Sequence, residues 1–87
     1  MGFDFDPEKD ESNRLKHGLS LSEFSGFDPG TDLTIPDERR DFGEPRYRSF
    51  GRIYGIGYMI AFTLREGRIR LISFRRAHEK EMQRYER

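Results

Sequence analysis

Between Arg46 and Arg76 the side chains alternate in character with a period of two, and two short glycine-bearing segments interrupt the alternation. No other feature limits the fold as much. Arg46, Arg48 and Arg52 alternate with Tyr47, Ser49 and Ile53; Tyr58, Ile60, Phe62 and Leu64 share one parity; Ile69 and Leu71 alternate with Arg68 and Arg70. A period of two is that of a β-strand. The interruptions, YGIG and REGR, have the length and glycine content of hairpin turns, so three antiparallel strands in a meander are expected.

The rest of the chain must cover that sheet with little apolar material. With 87 residues, of which 33% are hydrophobic and 37% charged, there is room for one small core. Surface scaling gives burial of about 64% of the unfolded surface. One domain spanning residues 1–87 is expected, and a cofactor-binding fold or a deep enclosed pocket is not.

Helix signals flank the meander. Asp6 is placed as an N-cap before Pro7, Glu8 suits the first turn, and Gly18 suits a left-handed cap, which predicts a helix over 7–17 with Leu15 as its main anchor. Ser20 and Glu23 form a capping box with Leu19 and Phe24 as its staple, predicting a second short helix from Leu21 to about Ser25. FDF at the start and DLTI read as short strands, and Asp37 to Pro45 as an exposed loop. The tail AHEKEMQRYER reads as a helix with Met82 and Tyr85 on one face. The expected class is α+β: two N-terminal helices, an antiparallel sheet and a C-terminal helix.

Charge is divided sharply. Residues 1–45 carry twelve acidic and five basic side chains, net −7, whereas residues 46–87 carry eleven basic and four acidic, net +7. Thirteen of the sixteen basic residues are arginine, the side chain best suited to phosphate and carboxylate. Two readings stay open: a basic surface for a polyanionic partner, or halves that neutralise each other in the fold. The chain has no cysteine, which excludes disulfides, thiolate metal sites and a cysteine nucleophile. Its apolar stretches are too short to span a membrane and the start lacks a signal core, so cytoplasmic residence is expected.

Four groups of residues have chemical potential. Lys16 and His17 close the first helix, where the dipole's negative end is expected to favour protonated histidine. Arg46, Arg48 and Arg52, with Arg68 and Arg70, form a comb suited to a phosphate backbone, and Tyr47, Phe50 and Tyr54 between them suit either base stacking or core packing. The segment SFRRAHEKEMQRY offers Arg75, Arg76, histidine, glutamate and Tyr85, groups that a metal-free phosphodiester cleavage requires. The fourth group, the carboxylates at 37–44, matches no calcium loop and reads as solvated. Neither histidine has a partner at zinc-ligand spacing, so no metal or other cofactor is expected.

Taken in order, F-D-F-D-P-E-K, N-R-L-K-H-G, L-S-E-F, G-E-P-R-Y-R-S-F-G, R-I-R-L-I-S-F-R-R-A and the E-x-x-x-Y of Glu81 and Tyr85 resemble the BrnT-type toxins of bacterial toxin–antitoxin modules. The likeness spans nearly the whole chain. It departs at Phe5, where the family commonly has tryptophan, and at Pro45 after Glu44. The resemblance implies a RelE-like α+β toxin that cleaves RNA without a metal and arrests growth. It also implies a ribbon-helix-helix antitoxin, with operator DNA reached only through that partner. The positions it carries over as catalytic are Lys16, His17, Glu44, Arg46, Arg75 and Tyr85. Arg46 and Arg75 are expected to hold the scissile phosphate, with proton transfer open among His17, Glu44 and Tyr85. Arg48, Arg52, Arg68, Arg70 and Arg76 are the expected RNA-binding positions. The competing readings are a non-catalytic nucleic-acid-binding module and a degenerate toxin that only binds its antitoxin.

Overall fold

The computed structural model describes residues 3–85. Its elements are β1 (Asp4–Phe5), α1 (Pro7–His17), a single 3₁₀ turn (Leu21–Glu23), β2 (Leu33–Pro36), β3 (Tyr47–Ile53), β4 (Ile56–Arg65), β5 (Arg68–Arg76) and α2 (Glu79–Tyr85). The last two residues of the tail read as helical lie outside the described residues. One five-stranded sheet runs in the order β1-β5-β4-β3-β2.

The meander forms as the alternation requires, and its two hairpins turn on Tyr54–Gly55 and Glu66–Gly67, all four with positive φ between 50° and 79°. Positive φ at both central residues is the type I′ geometry, whose twist matches that of the flanking strands. Two expectations are corrected. β1 pairs in parallel with β5, so the sheet is mixed, not wholly antiparallel. The second N-terminal helix is absent: its capping box forms, but only one 3₁₀ turn follows before Phe24 returns to extended backbone. Phe24 is 6% exposed and packs against Phe3, Phe27 and Phe74, so burial of its ring draws the chain out of the helix.

Side chains on the two sheet faces form two apolar clusters. Under α1 and the 3₁₀ turn lie Leu21, Phe24, Ile60, Phe62, Leu71 and Phe74, with Phe5 packed against them. Phe5 thus carries the opening strand into this core. The opposite face holds Phe50, Met59 and Met82, with Tyr85 against them. Gly57 in β4 admits α2, because a Cβ there would stand 2.5 Å from Met82 Cγ. The interleaved aromatics divide: Tyr47 stacks on Phe62, Phe50 on Tyr85, and Tyr54 stands exposed on a turn.

β5 carries an irregularity that periodicity does not reveal. Phe62 pairs with Leu71 while its neighbour Ala61 pairs with Ser73, so Ile72 is an extra residue in a β-bulge. A bulge re-aims the side chains beyond it. Here it allows Leu71 and Phe74 to enter the same core although three residues apart. Arg70 and Arg75, five apart, share the opposite face.

Just past the bulge, α1 takes over the edge of β5 that the two-residue β1 leaves uncovered. Asn13 Nδ2 donates to the Phe74 and Leu19 carbonyls at 2.8 Å each, and its Oδ1 accepts from Phe74 N at 3.0 Å and Ser73 Oγ at 3.3 Å. The amide of a helical side chain thus replaces a strand partner. Leu15, the expected anchor, is 83% exposed, and the buried residue of α1 is Asn13. Asn13→Leu leaves the Phe74 backbone groups buried without partners and is expected to cost about 2–3 kcal/mol. Leu15→Ala is expected to cost less than about 0.5 kcal/mol. Urea unfolding of both variants checks the contrast, and equal effects would contradict it.

Candidate active site

Three chain segments converge where α1 ends. The Asn13 clasp brings the last turn of α1 against the C-terminal end of β5, and only Ala77 and His78 separate β5 from α2. Lys16 and His17 from α1, Arg75 and Arg76 from β5, and His78 and Glu81 at the head of α2 line an open cleft of about 500 Å³.

Its charges are ordered by α2's first turn. Glu81 Oε1 accepts from His78 N at 3.0 Å, which is the returning half of a capping box. The same carboxylate receives a two-pronged bond from Arg75, Nη1 to Oε1 and Nη2 to Oε2 at 2.9 Å each. The Arg75 hydrogen bonds, with help from His78 N, hold the Glu81 pKa down at about 2. Arg75 is thereby locked in orientation while a quarter of its side chain stays accessible.

His17 departs from its expected behaviour. Partial desolvation in the cleft, then the charges of Arg75 and Lys16, lower its pKa from 6.5. The imidazole is therefore neutral at pH 7, the form that accepts a proton. The bias is opposite to the one expected from its helix position alone.

The other expected positions lie elsewhere. Glu44 and Arg46 line two further hollows, one along the loop from Pro36 to Tyr47 and one beside Thr63, Arg65 and Arg70. Thr63 Oγ1 donates to the Pro45 carbonyl at 2.6 Å, fixing this segment to β4, and Glu44 meets Arg65 at 3.5 Å and Arg46 at 3.7 Å. Arg46 is four positions along and two strands across from Arg75, about 16 Å by ordinary sheet spacings. Tyr85 lines neither place. Its ring stacks on Phe50 at 4.4 Å with the Arg48 guanidinium 5.5 Å from its centroid. Hydrogen bonds from Arg84 and Arg48 lower its pKa below the ordinary phenol value. The six expected catalytic residues thus divide into Lys16–His17–Arg75, Glu44–Arg46, and Tyr85 with Arg48.

Of the expected RNA-binding arginines, Arg70 lines the hollow beside Arg46, Arg76 lines the cleft, Arg52 meets Glu79 at 3.4 Å and Arg68 meets Asp4 at 3.0 Å. Asp37 corrects the reading of its loop as solvated. Its carboxylate is 2% exposed, is gripped by Arg39 Nε at 2.7 Å and lies 4.0 Å from Arg48 Nε. The cleft also takes in the histidine and glutamate of the segment after Arg76: His78 joins His17 there, and Glu81, part of the E-x-x-x-Y likeness, orients Arg75. Among the described residues, no three His, Asp or Glu side chains gather as a metal-binding group, and no helix is long and apolar enough to cross a membrane.

Sequence comparison gives this arrangement its class. Residues 5–81 match the family described as "Ribonuclease toxin, BrnT, of type II toxin-antitoxin system". The chain belongs to that family, whose members are the ribonuclease toxins of two-component modules with an antitoxin partner and RNA as substrate. The matched span contains every residue lining the cleft and ends before Tyr85. No curated protein and no solved structure is significantly similar to the chain.

Two titrations test the electrostatics. Arg75→Ala is expected to raise the His17 pKa toward 6.5, read from imidazole proton shifts by NMR; a lowered value would contradict the repulsion. Because the Glu81 pKa is depressed, its contribution to stability is complete above about pH 4.5 and declines as pH falls toward about 2. Glu81→Gln is expected to remove that acid limb from the pH dependence of urea unfolding. An unaltered limb would place its origin elsewhere.

Proposed function

We propose that this chain is a metal-independent endoribonuclease toxin whose chemistry takes place in the cleft of His17, Arg75 and His78, and that a ribbon-helix-helix antitoxin silences it. One observation carries the reading: a single cleft gathers two imidazoles with Lys16, Arg75 and Arg76. Cleavage of RNA by its own 2′-hydroxyl requires a base at that hydroxyl, an acid at the departing 5′-oxygen, and cations for the charge that builds on phosphorus.

His17 takes the 2′-hydroxyl proton, since desolvation in the cleft and the charges of Arg75 and Lys16 favour its neutral imidazole. The 2′-oxygen attacks phosphorus and the P–O5′ bond breaks, leaving a 2′,3′-cyclic phosphate and a free 5′-hydroxyl. His78 gives its proton to O5′. Arg75, aimed by Glu81, and Lys16 stabilise the pentacoordinate intermediate. Glu44 and Arg46 act on the strand away from the scissile phosphate, and Tyr85 shapes the Arg48 side of the sheet. The antitoxin keeps RNA from the cleft and carries the complex to operator DNA.

Purified, antitoxin-free protein is expected to cut labelled RNA in excess EDTA. His17→Ala and His78→Ala are each expected to lose about 10²–10⁴-fold in rate, and Arg75→Ala about 10²–10³-fold. Cleavage that stops in EDTA and returns with Mg²⁺, or that persists in His17→Ala and Arg75→Ala, would overturn the mechanism.

A further inference from the structure

The cleft does not end at His17. Lys16 and His17 also line a narrower hollow with Lys9, Asn13 and Ile72, between α1 and β5. Lys9 and Ile72 in turn line the next hollow, with Arg70 and Arg46. Arg46 and Glu44 then open onto the hollow of the loop at 36–47, which includes Phe42. Each hollow shares side chains with the next, so one groove runs from the cleft, along β5, to Phe42.

Cations line this groove, among them three with no carboxylate at ion-pair distance. Among the described residues, Lys9, Lys16 and Arg70 have no acidic side chain at ion-pair distance. Arg46 Nε is buried and lacks a hydrogen-bond partner, its nearest carboxylate oxygen standing 3.7 Å away on Glu44. Most acids of the groove are engaged: Asp6 caps α1 by accepting from Glu8 N, Glu44 lies between Arg46 and Arg65, and around Phe42 Asp37 is held by Arg39 and Asp41 accepts from Gly43 N, with Glu38 beside them. At the far end, the Arg46 and Arg40 guanidinium carbons stand 4.2 and 4.8 Å from the centre of the Phe42 ring. Planar guanidinium and aromatic surfaces of this kind support bases by stacking.

We infer that this groove binds the RNA strand continuing from the cleavage site, with Lys9 and Arg70 on successive phosphates and a base against the Arg46–Phe42 stack. The inference rests on the ribonuclease reading and extends it. Arg70 and Arg75 are separated by about 13–16 Å of strand, too far to share one phosphate but suited to phosphates at least two nucleotides apart on a single strand. The bulge at Ile72 sets that alignment, since without it Arg70 and Arg75 would face opposite sides. An acidic segment of the antitoxin is the competing occupant, but it would leave the planar stack at Phe42 without a purpose.

The test is binding of a fluorescent RNA octamer made uncleavable by 2′-deoxy substitution, followed by anisotropy across a salt series. The double variant Lys9→Ala/Arg70→Ala is expected to bind at least tenfold more weakly, with the log–log salt slope shallower by about 1.4. Lys80→Ala, an exposed cation on α2 outside the groove, is expected to match the wild type in both. Phe42→Ala is expected to weaken binding with an unchanged salt slope. Thermal melts of each variant confirm the fold. If the double variant matches Lys80→Ala in affinity and slope, or weakens only antitoxin binding, the groove is not the RNA path. If the groove variants lose octamer binding while the wild type never cuts RNA in EDTA, the groove stands and the catalytic reading fails.

Discussion

One side-chain amide decides how the two ends of this fold meet. Asn13 satisfies both backbone groups of Phe74 from within a helix, at the point where β1 has ended and β5 would otherwise expose its edge. Few groups could substitute. The position needs a donor and an acceptor side by side with the spacing of a peptide, and it is 4% exposed, so an unmet partner there is costly. The consequence is functional as well as structural. The clasp at Phe74 sits one residue from Arg75 and one helical turn from His17, so it sets the distance across the cleft.

The bulge at Ile72 is the second half of the same arrangement. It resolves a conflict in β5, which must present two core residues and two outward arginines with spacings that a regular strand cannot accommodate. Around it, the opposed charges of the two halves are partly neutralised, through Arg65 and Arg46 with Glu44, Arg68 with Asp4, and Arg48 with Asp37. The reading in which the two halves neutralise each other therefore holds in part. Of the described cations with no carboxylate at ion-pair distance, Lys9, Lys16, Arg40, Arg70 and Arg76 line the cleft and the groove, and Arg14, Lys80 and Arg84 lie outside them.

The meander, the caps of α1 and the α2 face of Met82 and Tyr85 were legible because each depends on local geometry: a period of two, an Asp–Pro start, a glycine with positive φ, an i, i+3 pair. The parallel pairing of β1 and the bulge were not, since both depend on contacts between residues more than sixty positions apart or on a count that must match a neighbouring strand. Leu15 misled for a related reason. Hydrophobic type ranks it first in α1, but the helix is held by hydrogen bonds to a sheet edge and needs no apolar anchor. At the site, Lys16, His17 and Arg75 were legible as chemical types, whereas their convergence with His78 and Glu81 depends on the clasp. The lowered pKa of His17 was hidden because its dominant causes come from burial and from a distant strand, not from its own helix.

The most direct measurement of the account is a crystal structure of the protein with an RNA strand made uncleavable by one 2′-deoxy substitution. The account places the scissile phosphate between His17 and Arg75, with an oxygen about 2.7–3.1 Å from the guanidinium and the strand continuing past Lys9 toward Phe42. A scissile phosphate seated instead against Arg48 and Tyr85 would contradict it.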